Sequence, residues 1–429
     1  MYKRTPILTL AAVLILTSIA AANGLNLNGL GTRAQAMGGA FVGIADDFSA
    51  VFWNPAGAAG FRKEMFGFYA TDLIPRATYR RDSFIPEDYP IDAKTDTSHY
   101  LGFLGAYYRP IGSRVVVGFG FGTPSSQGIV WDGSDFAGMD ETAYDLSRKT
   151  MVLSFSPLVA LKVNEWLSVG AALNINLGTF GLKKWGGTLP LGAEGEYVDI
   201  GQYEESMTGW GFGATFGILA KPIEKLGIGI AVRTPSTISY KGTARISYFP
   251  LYGIPDSSAL KRQIAWPLWI AGGVSFRPVE RLLLSADVQW TQWSKLAWIR
   301  TDYLEPAWPV YYYIDFHADS GNYPLYQKDV TQIRFGAEYL LNTTTALRAG
   351  YYNDPKPGSP LWDLLFPGIS SNAVSIGVGK TIGDLELDFG LEYLTGNTKQ
   401  GYNWFHDAVT PEDYRMNQVI PSVSVQYKF

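Results

Sequence analysis

The sequence predicts an all-β transmembrane protein: an antiparallel β-barrel of about fourteen strands whose lumen is plugged by a small N-terminal hatch. Three observations predict this fold: an export signal, segments in which apolar and polar side chains alternate, and gaps between segments that are alternately short and long. Because successive side chains of a strand point to opposite faces, each segment has one face for lipid and one for a wet interior.

Residues 1–22 have the pattern of a secretory signal peptide. A positively charged start precedes an apolar stretch over 7–19, and three alanines at 20–22 match a small-residue cleavage site. We therefore expect the mature chain to begin near Asn23. The alternative, a transmembrane anchor, needs a longer apolar stretch.

Composition restricts the possible partners and cofactors. The chain has no cysteine, which excludes disulfides, thiolate metal sites and lipid attachment at cysteine. Its 35 basic and 39 acidic residues give a net charge of −4, which argues against nucleic acid as a partner. We expect neither a metal nor a cofactor.

Residues 23–61 are predicted to form the hatch, and residues 62–429 to form the barrel. The first segment does not alternate, is rich in glycine and alanine, and precedes the first wall strand. A barrel of about fourteen strands is too wide for wall side chains alone to fill, so an empty lumen would leak. We expect Asp46 or Asp47 to cap a short helix through Ala50.

Alternation is clearest in the segment 385–394. Leucine and aromatic residues at its odd positions oppose Glu386, Asp388 and Glu392 at even positions. A soluble sandwich seldom places three carboxylates in its core, so the pattern favours a barrel wall. The predicted wall segments are 64–71, 97–109, 113–122, 144–162, 166–178, 204–221, 225–245, 262–277, 281–298, 327–341, 344–353, 371–382, 384–396 and 415–429.

Loop lengths also agree with an outer-membrane barrel. Connections after even-numbered segments are tight turns, such as Pro110-Ile111-Gly112 and Asn342-Thr343, whereas the others run to about fifteen to thirty residues. The chain ends on the short-turn rim. We expect its last strand, ending in Phe429, to be recognised by the barrel-assembly machinery.

Aromatic residues cluster near the predicted strand ends, where belts of rings contact lipid headgroups. We assign to these belts Trp266, Trp269, Trp290, Trp293, Trp298, Tyr107, Tyr108, Tyr351, Tyr352 and Tyr393.

The hatch segment contains a specific motif. Ala45-Asp46-Asp47 is followed by the run 50–57, which ends in Asn54-Pro55-Ala56-Gly57. This motif resembles the hatch signature of FadL-like outer-membrane transporters, the OMPP1/FadL/TodX family. Segments 118–124, 232–236 and 267–293 are similar to the family's third strand, its arginine–proline motif and its central hairpin.

The resemblance implies a monomer in the outer membrane of a Gram-negative bacterium that takes up long-chain fatty acids or aromatic hydrocarbons passively. Substrate is caught among the outer loops and moves to an apolar site inside the barrel. Hatch movement then frees it through a gap beside a kinked third strand. Gly118, Gly120, Gly122 and Pro124 form the candidate gap, because glycine loosens a strand and proline removes a ladder donor. The alternative is that these small residues make room for the hatch.

Apolar residues in two long loops are the candidate capture surface, since exposed apolar clusters tend to mark binding surfaces. They are Tyr248, Phe249, Leu251 and Tyr252 in one loop and Leu189 and Leu191 in the other. Alternatively, these residues pack the loops together or touch lipopolysaccharide.

Three arginines are candidates for holding a carboxylate headgroup of the substrate. Arg334 and Arg348 point inward by their position in the alternation, and Arg233 belongs to the family-like motif. The alternative is that they pair with inward-facing carboxylates, which lowers the cost of unpaired charge.

Other functions fit the sequence less well. A lipase needs an assembled nucleophile and histidine, but the three histidines, His99, His317 and His406, lie in or beside outer loops without a nucleophile-elbow pattern. We therefore expect no enzyme. A general diffusion porin would not explain the apolar hatch and loops, and a structural or adhesive barrel is a further alternative. The sequence does not distinguish fatty acids from aromatic hydrocarbons.

Overall fold

The structure, a computed structural model, covers most of the mature chain. It describes residues 29–81, 90–137, 142–191, 196–296, 298–316, 321–324, 327–355, 357, 364–365, 369–403 and 408–429. The predicted signal peptide and residues 23–28 of the predicted hatch lie outside the described residues. Within the described part of the chain, no helix is long and apolar enough to cross a membrane.

Most of the described residues belong to β-strands. The strands are β1 Met65–Arg81, β2 Ile91–Lys94, β3 Tyr100–Ile111, β4 Val115–Trp131, β5 Leu146–Lys162, β6 Leu167–Trp185, β7 Thr188–Leu191, β8 Glu196–Asp199, β9 Gln202–Ile223, β10 Leu226–Arg233, β11 Ser236–Ile246, β12 Ser257–Trp266, β13 Trp269–Val279, β14 Leu282–Thr291, β15 Trp298–Tyr303, β16 Asn322–Pro324, β17 Val330–Asn342, β18 Thr345–Asp354, β19 Ser371–Ile382, β20 Leu385–Asn403 and β21 Ala408–Lys428. The helices are α1 Thr32–Ala36, α2 Ala50–Trp53 and α3 Val310–Phe316, with 3₁₀ turns at Pro55–Gly60, Gly133–Phe136, Phe249–Tyr252 and Trp293–Leu296.

The wall is a closed antiparallel barrel of fourteen strands, which confirms the predicted fold class. Closure is visible at β1, where Met65 pairs with Tyr108 of β3 on one side and with Lys428 of β21 on the other. The first and last wall strands are therefore joined, so that within the described residues the sheet closes on itself and its terminal strands are not left as open edges.

The two faces of the wall follow the alternation in the sequence. In β20, Phe389 is 56% exposed on the outside, whereas Glu392 is 3% exposed and faces the lumen. Tyr107, Tyr351 and Tyr393 are exposed outside, as expected for belt residues. The belt assignment is wrong for five other aromatic residues, which lie in the lumen or between loops: Tyr108, Trp266, Trp269, Trp293 and Tyr352. Parity places Tyr108, Tyr352 and Trp266 inside, and Trp269 and Trp293 follow strand interruptions that change the parity.

Three segments predicted as continuous strands are interrupted. Strands β10 and β11 are separated at Thr234-Pro235, and β12 and β13 at Pro267-Leu268, because proline cannot donate to the ladder. A 3₁₀ turn separates β14 from β15. At the first break the Thr234 hydroxyl accepts from the Ala214 N–H at 2.9 Å, so a side chain replaces the missing backbone contact.

The described part of the hatch lies inside the lumen. Helix α2 has Ser49 at its N-cap without a side-chain capping bond. The expected cap from Asp46 or Asp47 is therefore not formed. Instead, an Asp47 Oδ1 atom accepts hydrogen bonds from the Ser49 N–H at 2.8 Å and from the Ser49 hydroxyl at 2.5 Å. This contact forms a turn before the helix.

Wall glycines allow the hatch to approach the wall backbone closely. At eleven wall glycines an added Cβ would come within 3.0 Å of a hatch atom, so any larger residue would displace the hatch. This glycine belt consists of Gly67, Gly120, Gly170, Gly217, Gly227, Gly229, Gly273, Gly336, Gly350, Gly377 and Gly390.

Candidate functional site

A cavity of ≈ 80 Å³ lies between the hatch and the wall. Leu30, Val51 and Phe52 form its hatch side. The wall side comprises Leu104, Gly120, Phe121, Gly122, Pro124, Val152, Ser154, Ser156, Asn174, Asn176, Gly213, Thr215, Arg233, Thr234, Ser236, Ile238, Trp266, Pro267 and Trp269. The cavity thus combines the two predicted motifs, at 118–124 and 232–236, with residues that the sequence did not single out.

A row of polar side chains crosses one wall of the cavity. The Ser156 hydroxyl donates to Asn174 Oδ1 at 3.0 Å, and the Asn174 amide donates to the Thr215 hydroxyl at 2.9 Å. The Asn176 amide donates to the Ser236 hydroxyl at 3.0 Å. Because these groups bond to each other, an apolar molecule can lie against them without leaving them unpaired. No sequence motif marks this row, although its members share the inward parity of their strands.

Arg233 is the cation in the cavity. Its Nη2 donates to the Phe52 carbonyl at 2.9 Å, and its Cζ lies 4.6 Å from the Phe52 ring and 4.7 Å from the Trp269 ring. Within the described residues no carboxylate lies within 4.0 Å of it. The guanidinium is held by aromatic faces and a carbonyl, and not by a countercharge.

The other two candidate arginines lie outside the cavity. Arg348 donates to Glu338 at 2.8 Å and to Asp388 at 2.5 Å, both on wall strands. Arg334 donates to the Gly38 carbonyl of the hatch at 3.0 Å and to Gln332 at 2.9 Å. Arg348 therefore makes the carboxylate pairs of the alternative interpretation, whereas Arg334 contacts a carbonyl and an amide.

Charged contacts also hold the hatch near the short-turn rim. Arg33 of α1 pairs with wall Glu338 at 2.7 Å and with Asp46 at 2.5 Å. Asp287 of β14 accepts hydrogen bonds from the Phe41 and Val42 N–H groups, both at 3.0 Å. The sequence indicated that Asp287 points inward, but it gave no signal for these partners.

The two hatch aspartates differ in their electrostatics. Burial raises the pKa of Asp46, but the charges of Arg33 and Lys221 and the hydrogen bond from Arg33 together outweigh it and leave that pKa below its ordinary value. Burial raises the pKa of Asp47 to about 6, and Arg33 and the Ser49 donors only limit the rise. The pair therefore binds protons over different pH ranges.

The Asn54-Pro55-Ala56-Gly57 motif fastens the hatch to the wall. The Asn54 amide donates to the Val42 carbonyl at 2.9 Å and to the Ile218 carbonyl of β9 at 3.0 Å. Its Oδ1 accepts from the Ala56 N–H at 3.1 Å, and Pro55 begins the 3₁₀ turn. A Cβ at Gly57 would lie 1.9 Å from the Ala45 carbonyl oxygen, which explains the glycine.

The wall ladder between β3 and β4 ends within the predicted gap. Backbone pairing runs from Ile111–Val115 to Leu104–Gly122 and stops there. Beyond it the Thr123 hydroxyl accepts from the Phe103 N–H at 2.9 Å, and the Ser126 hydroxyl donates to the Leu101 carbonyl at 2.8 Å. We call this hydroxyl-bridged stretch, Leu101, Phe103, Thr123 and Ser126, the β3–β4 seam.

Local packing also explains why small residues lie beside the seam. A Cβ at Gly120 would lie 2.8 Å from Val51 of the hatch, which agrees with the alternative that glycines make room for it. A Cβ at Gly118 would lie 2.4 Å from Leu158. On the other side of β4, pairing with β5 shifts register between Gly122 and Ser125, around Pro124.

The candidate capture residues divide into buried and exposed groups. Phe249 is 0% exposed and packs edge-on to Trp308 and Tyr311, and Leu189 is buried in the same outer apolar cluster. Leu251 is 75% exposed and Tyr248 is 40% exposed. Tyr252 is partly buried against the cluster. Leu191 lies in the β7–β8 hairpin.

Comparison with known proteins agrees with this architecture. The family model described as outer membrane protein transport protein (OMPP1/FadL/TodX) matches residues 13–429. Among solved structures, a Pseudomonas aeruginosa FadL homologue has a TM-score of 0.76 at 16% identity, covering 95% of this chain and 100% of that chain. The Ralstonia pickettii toluene transporter TbuX has a TM-score of 0.70 at 19% identity, covering 94% and 99%. The Pseudomonas putida toluene transporter TodX has a TM-score of 0.70 at 16% identity, also covering 94% and 99%.

No curated protein matches the chain in sequence, and the identities to the solved structures are low enough that these establish the fold alone. The family model, in contrast, spans nearly the whole chain and includes the hatch and every wall strand. The chain is therefore a member of the OMPP1/FadL/TodX family of outer membrane transport proteins.

Proposed function

We propose that this protein takes up hydrophobic small molecules, long-chain fatty acids or monoaromatic hydrocarbons, passively across the outer membrane. The observation that carries the proposal is the cavity, which is enclosed by an apolar hatch surface and by polar wall groups that bond to each other. Such a site accepts an apolar molecule without a desolvation penalty. Two solved structures that share the fold are named as toluene transporters.

Capture would begin at the outer loops. Leu251 and Tyr248 present apolar surface to solvent, while Phe249 and Leu189 support them from within the outer cluster. From there the substrate would pass to the cavity beside Phe52.

Occupation of the cavity requires movement of the hatch. An apolar protein cavity of roughly 150 Å³ holds benzene, whereas this cavity measures ≈ 80 Å³. Displacement of Phe52 would enlarge it, because that ring lies on the hatch side of the cavity, against Arg233 of the wall.

Release would be lateral, through the β3–β4 seam. The cavity reaches Gly120, Gly122 and Pro124, where the backbone ladder ends. The alternative route runs past the hatch into a 240 Å³ vestibule on the short-turn rim. That vestibule is lined by ion-paired Arg33, Glu338 and Arg348, so an apolar molecule would have to cross buried charge.

Three measurements on the purified protein test the function. Native mass spectrometry should identify a hydrophobic molecule retained from the membrane, and planar bilayers should show little steady ion conductance. Proteoliposomes should accumulate radiolabelled oleate or toluene faster than protein-free liposomes. A large steady conductance with no accelerated accumulation would instead establish a diffusion porin, and neither activity would leave a structural or adhesive barrel.

A further inference from the structure

A row of phenylalanines covers the lipid side of the wall at the point where the ladder ends. The Phe68 and Phe103 ring centroids are 6.5 Å apart, Phe103 and Phe121 are 5.3 Å apart, and Phe121 and Phe155 are 4.7 Å apart. All four have the outward parity of their strands. The row crosses strands β1, β3, β4 and β5.

The wall beneath this row is thin. The inward positions on either side of Phe121 are Gly120 and Gly122, which have no side chains, and all three residues line the cavity. At these positions the β4 backbone and Phe121 therefore form the barrier between the cavity and the lipid side of the wall. On the opposite side, Val51 of the hatch contacts Gly120.

The seam also provides a way for the two strands to separate locally. Beyond Leu104–Gly122, strands β3 and β4 are joined by the hydroxyls of Thr123 and Ser126 and not by a backbone ladder. A hydroxyl rotates to a new partner without moving the backbone. Separation at the seam therefore disturbs fewer backbone hydrogen bonds than separation lower in the wall.

We infer that Phe121, supported by Phe103 and Phe155, acts as an aromatic shutter that closes the seam toward the lipid and sets the rate of substrate release. The inference rests on the proposed lateral route and deepens it by naming the residue that the substrate must pass. When the ring of Phe121 swings outward, the cavity opens to the membrane between β3 and β4. When it returns, the packed rings of Phe103, Phe121 and Phe155 close the wall again.

The chain offers a matched control for this shutter. Phe119 is also an outward phenylalanine on β4, two positions away, but it lies opposite Tyr107 where the ladder to β3 is intact. It is 44% exposed and does not line the cavity. A change at Phe119 removes a similar ring from the lipid face without opening the seam.

The test measures the initial rate of radiolabelled oleate and toluene accumulation in proteoliposomes. Phe121→Ala should raise the rate at least threefold, Phe121→Trp should lower it at least threefold, and Phe119→Ala should leave it unchanged within about 1.5-fold. Heat-modifiable gel mobility checks that each variant is a folded barrel. Rates for both Phe121 variants equal to the parent, with the parent itself active, would overturn the shutter while leaving the transport function intact.

Photolabelling of the unmodified protein provides evidence that does not depend on any variant folding. A fatty acid carrying a diazirine at its tail should label Phe103 or Phe155, which do not line the cavity, in addition to cavity residues such as Phe121. Labels confined to the cavity and the vestibule around Arg33 would overturn the inference. An inactive, unlabelled parent protein would refute the proposed function itself.

Discussion

At the scale of single residues, the arginines show how local context decides the use of a charge. Arg348 faces Glu338 and Asp388 and is neutralised by them. Arg233 faces two aromatic rings and a carbonyl, so its charge remains available to a ligand. The same side chain therefore serves as a contact between wall strands at one position and as a candidate substrate contact at the other.

Replacing Arg233 with methionine should separate the two substrate classes. A hydrogen bond to a charged group is worth about 1.5–3 kcal/mol, so oleate binding should weaken by roughly tenfold or more. Toluene carries no charge and should bind within about threefold of the parent. Equilibrium binding to detergent-solubilised protein measures both, with Arg233→Lys as the charge-retaining control. An equal loss for oleate and toluene would show that Arg233 only positions Phe52.

Asp47 should make hatch seating depend on pH. Its pKa is raised to about 6 in the seated hatch, against an ordinary value of 3.8. The seated state therefore holds a proton that the displaced state loses, and this stabilisation is present at low pH and is lost as the pH rises through 6. Hatch amides should be better protected from hydrogen exchange at pH 5 than at pH 7.5, after correction for intrinsic rates. Asp47→Asn should remove the difference, and greater protection at pH 7.5 in the parent would contradict the prediction.

At the scale of elements, the glycine belt determines how the hatch and wall fit together. Backbone lies on backbone at Gly229 and Gly350, where a Cβ would come within 2.0 Å of a hatch atom. Such close contact resists movement of the hatch as one body. Hatch movement during transport is therefore expected near Phe52, where the hatch borders the cavity.

Two adjacent glycines of β13 test the belt directly. A Cβ at Gly273 would lie 2.2 Å from Asp287 and 2.7 Å from Gly43 of the hatch, whereas one at Gly272 meets nothing within 4 Å. Gly273→Ala should therefore displace the hatch and raise small-ion conductance in planar bilayers. Gly272→Ala should leave the conductance at the parent level. A Gly273→Ala variant with the conductance of the parent would mean that the hatch accommodates the added methyl group without being displaced.

The outer loop around the 3₁₀ turn Phe249–Tyr252 should contain two functions. Replacing exposed Tyr248 and Leu251 together with serine should weaken capture of a hydrophobic fluorescent probe, since each buried apolar side chain contributes about 1.5–3 kcal/mol at most. We expect about a tenfold loss of affinity with an unchanged melting temperature. Phe249→Ser should instead lower the melting temperature, because Phe249 packs against Trp308. Unchanged affinity in the double variant would assign the whole loop to packing.

At the scale of the whole molecule, the sequence predicts the features that repeat with strand geometry. Alternation predicts that Asp388 and Glu392 face inward and Phe389 outward, and loop lengths predict the two rims. The alternation does not predict the strand interruptions at Pro235 and Pro267. An interruption inside the wall is tolerated because a side chain such as Thr234 supplies the hydrogen bond that the backbone ladder lacks there.

The candidate site was predictable only in part. Arg233, Gly120 and Pro124 were predicted as functional residues because each belongs to a short, continuous motif that resembles the family. The polar partners Asn174 and Thr215 were not predicted, since their contact joins neighbouring strands 41 residues apart in the chain. Hatch contacts such as Arg33 with Glu338 span 305 residues and have no periodic signal.

Lateral release between β3 and β4 can be tested with a reversible engineered disulfide, here called a staple, that joins the two strands. Leu104 and Gly122 form the last registered pair, and a Cβ at Gly122 would lie 3.0 Å from the Leu104 Cα atom. Because the chain has no cysteine, a Leu104→Cys/Gly122→Cys variant contains a single possible disulfide. A Val374→Cys/Tyr393→Cys pair between β19 and β20 serves as the control staple.

Uptake of radiolabelled oleate and toluene into proteoliposomes is then measured with each staple closed and after addition of reductant. We predict that the closed β3–β4 staple reduces the uptake rate at least fivefold, that reductant restores it, and that the control staple has no effect. Full uptake through the closed β3–β4 staple would contradict lateral release and would indicate passage past the hatch into the vestibule.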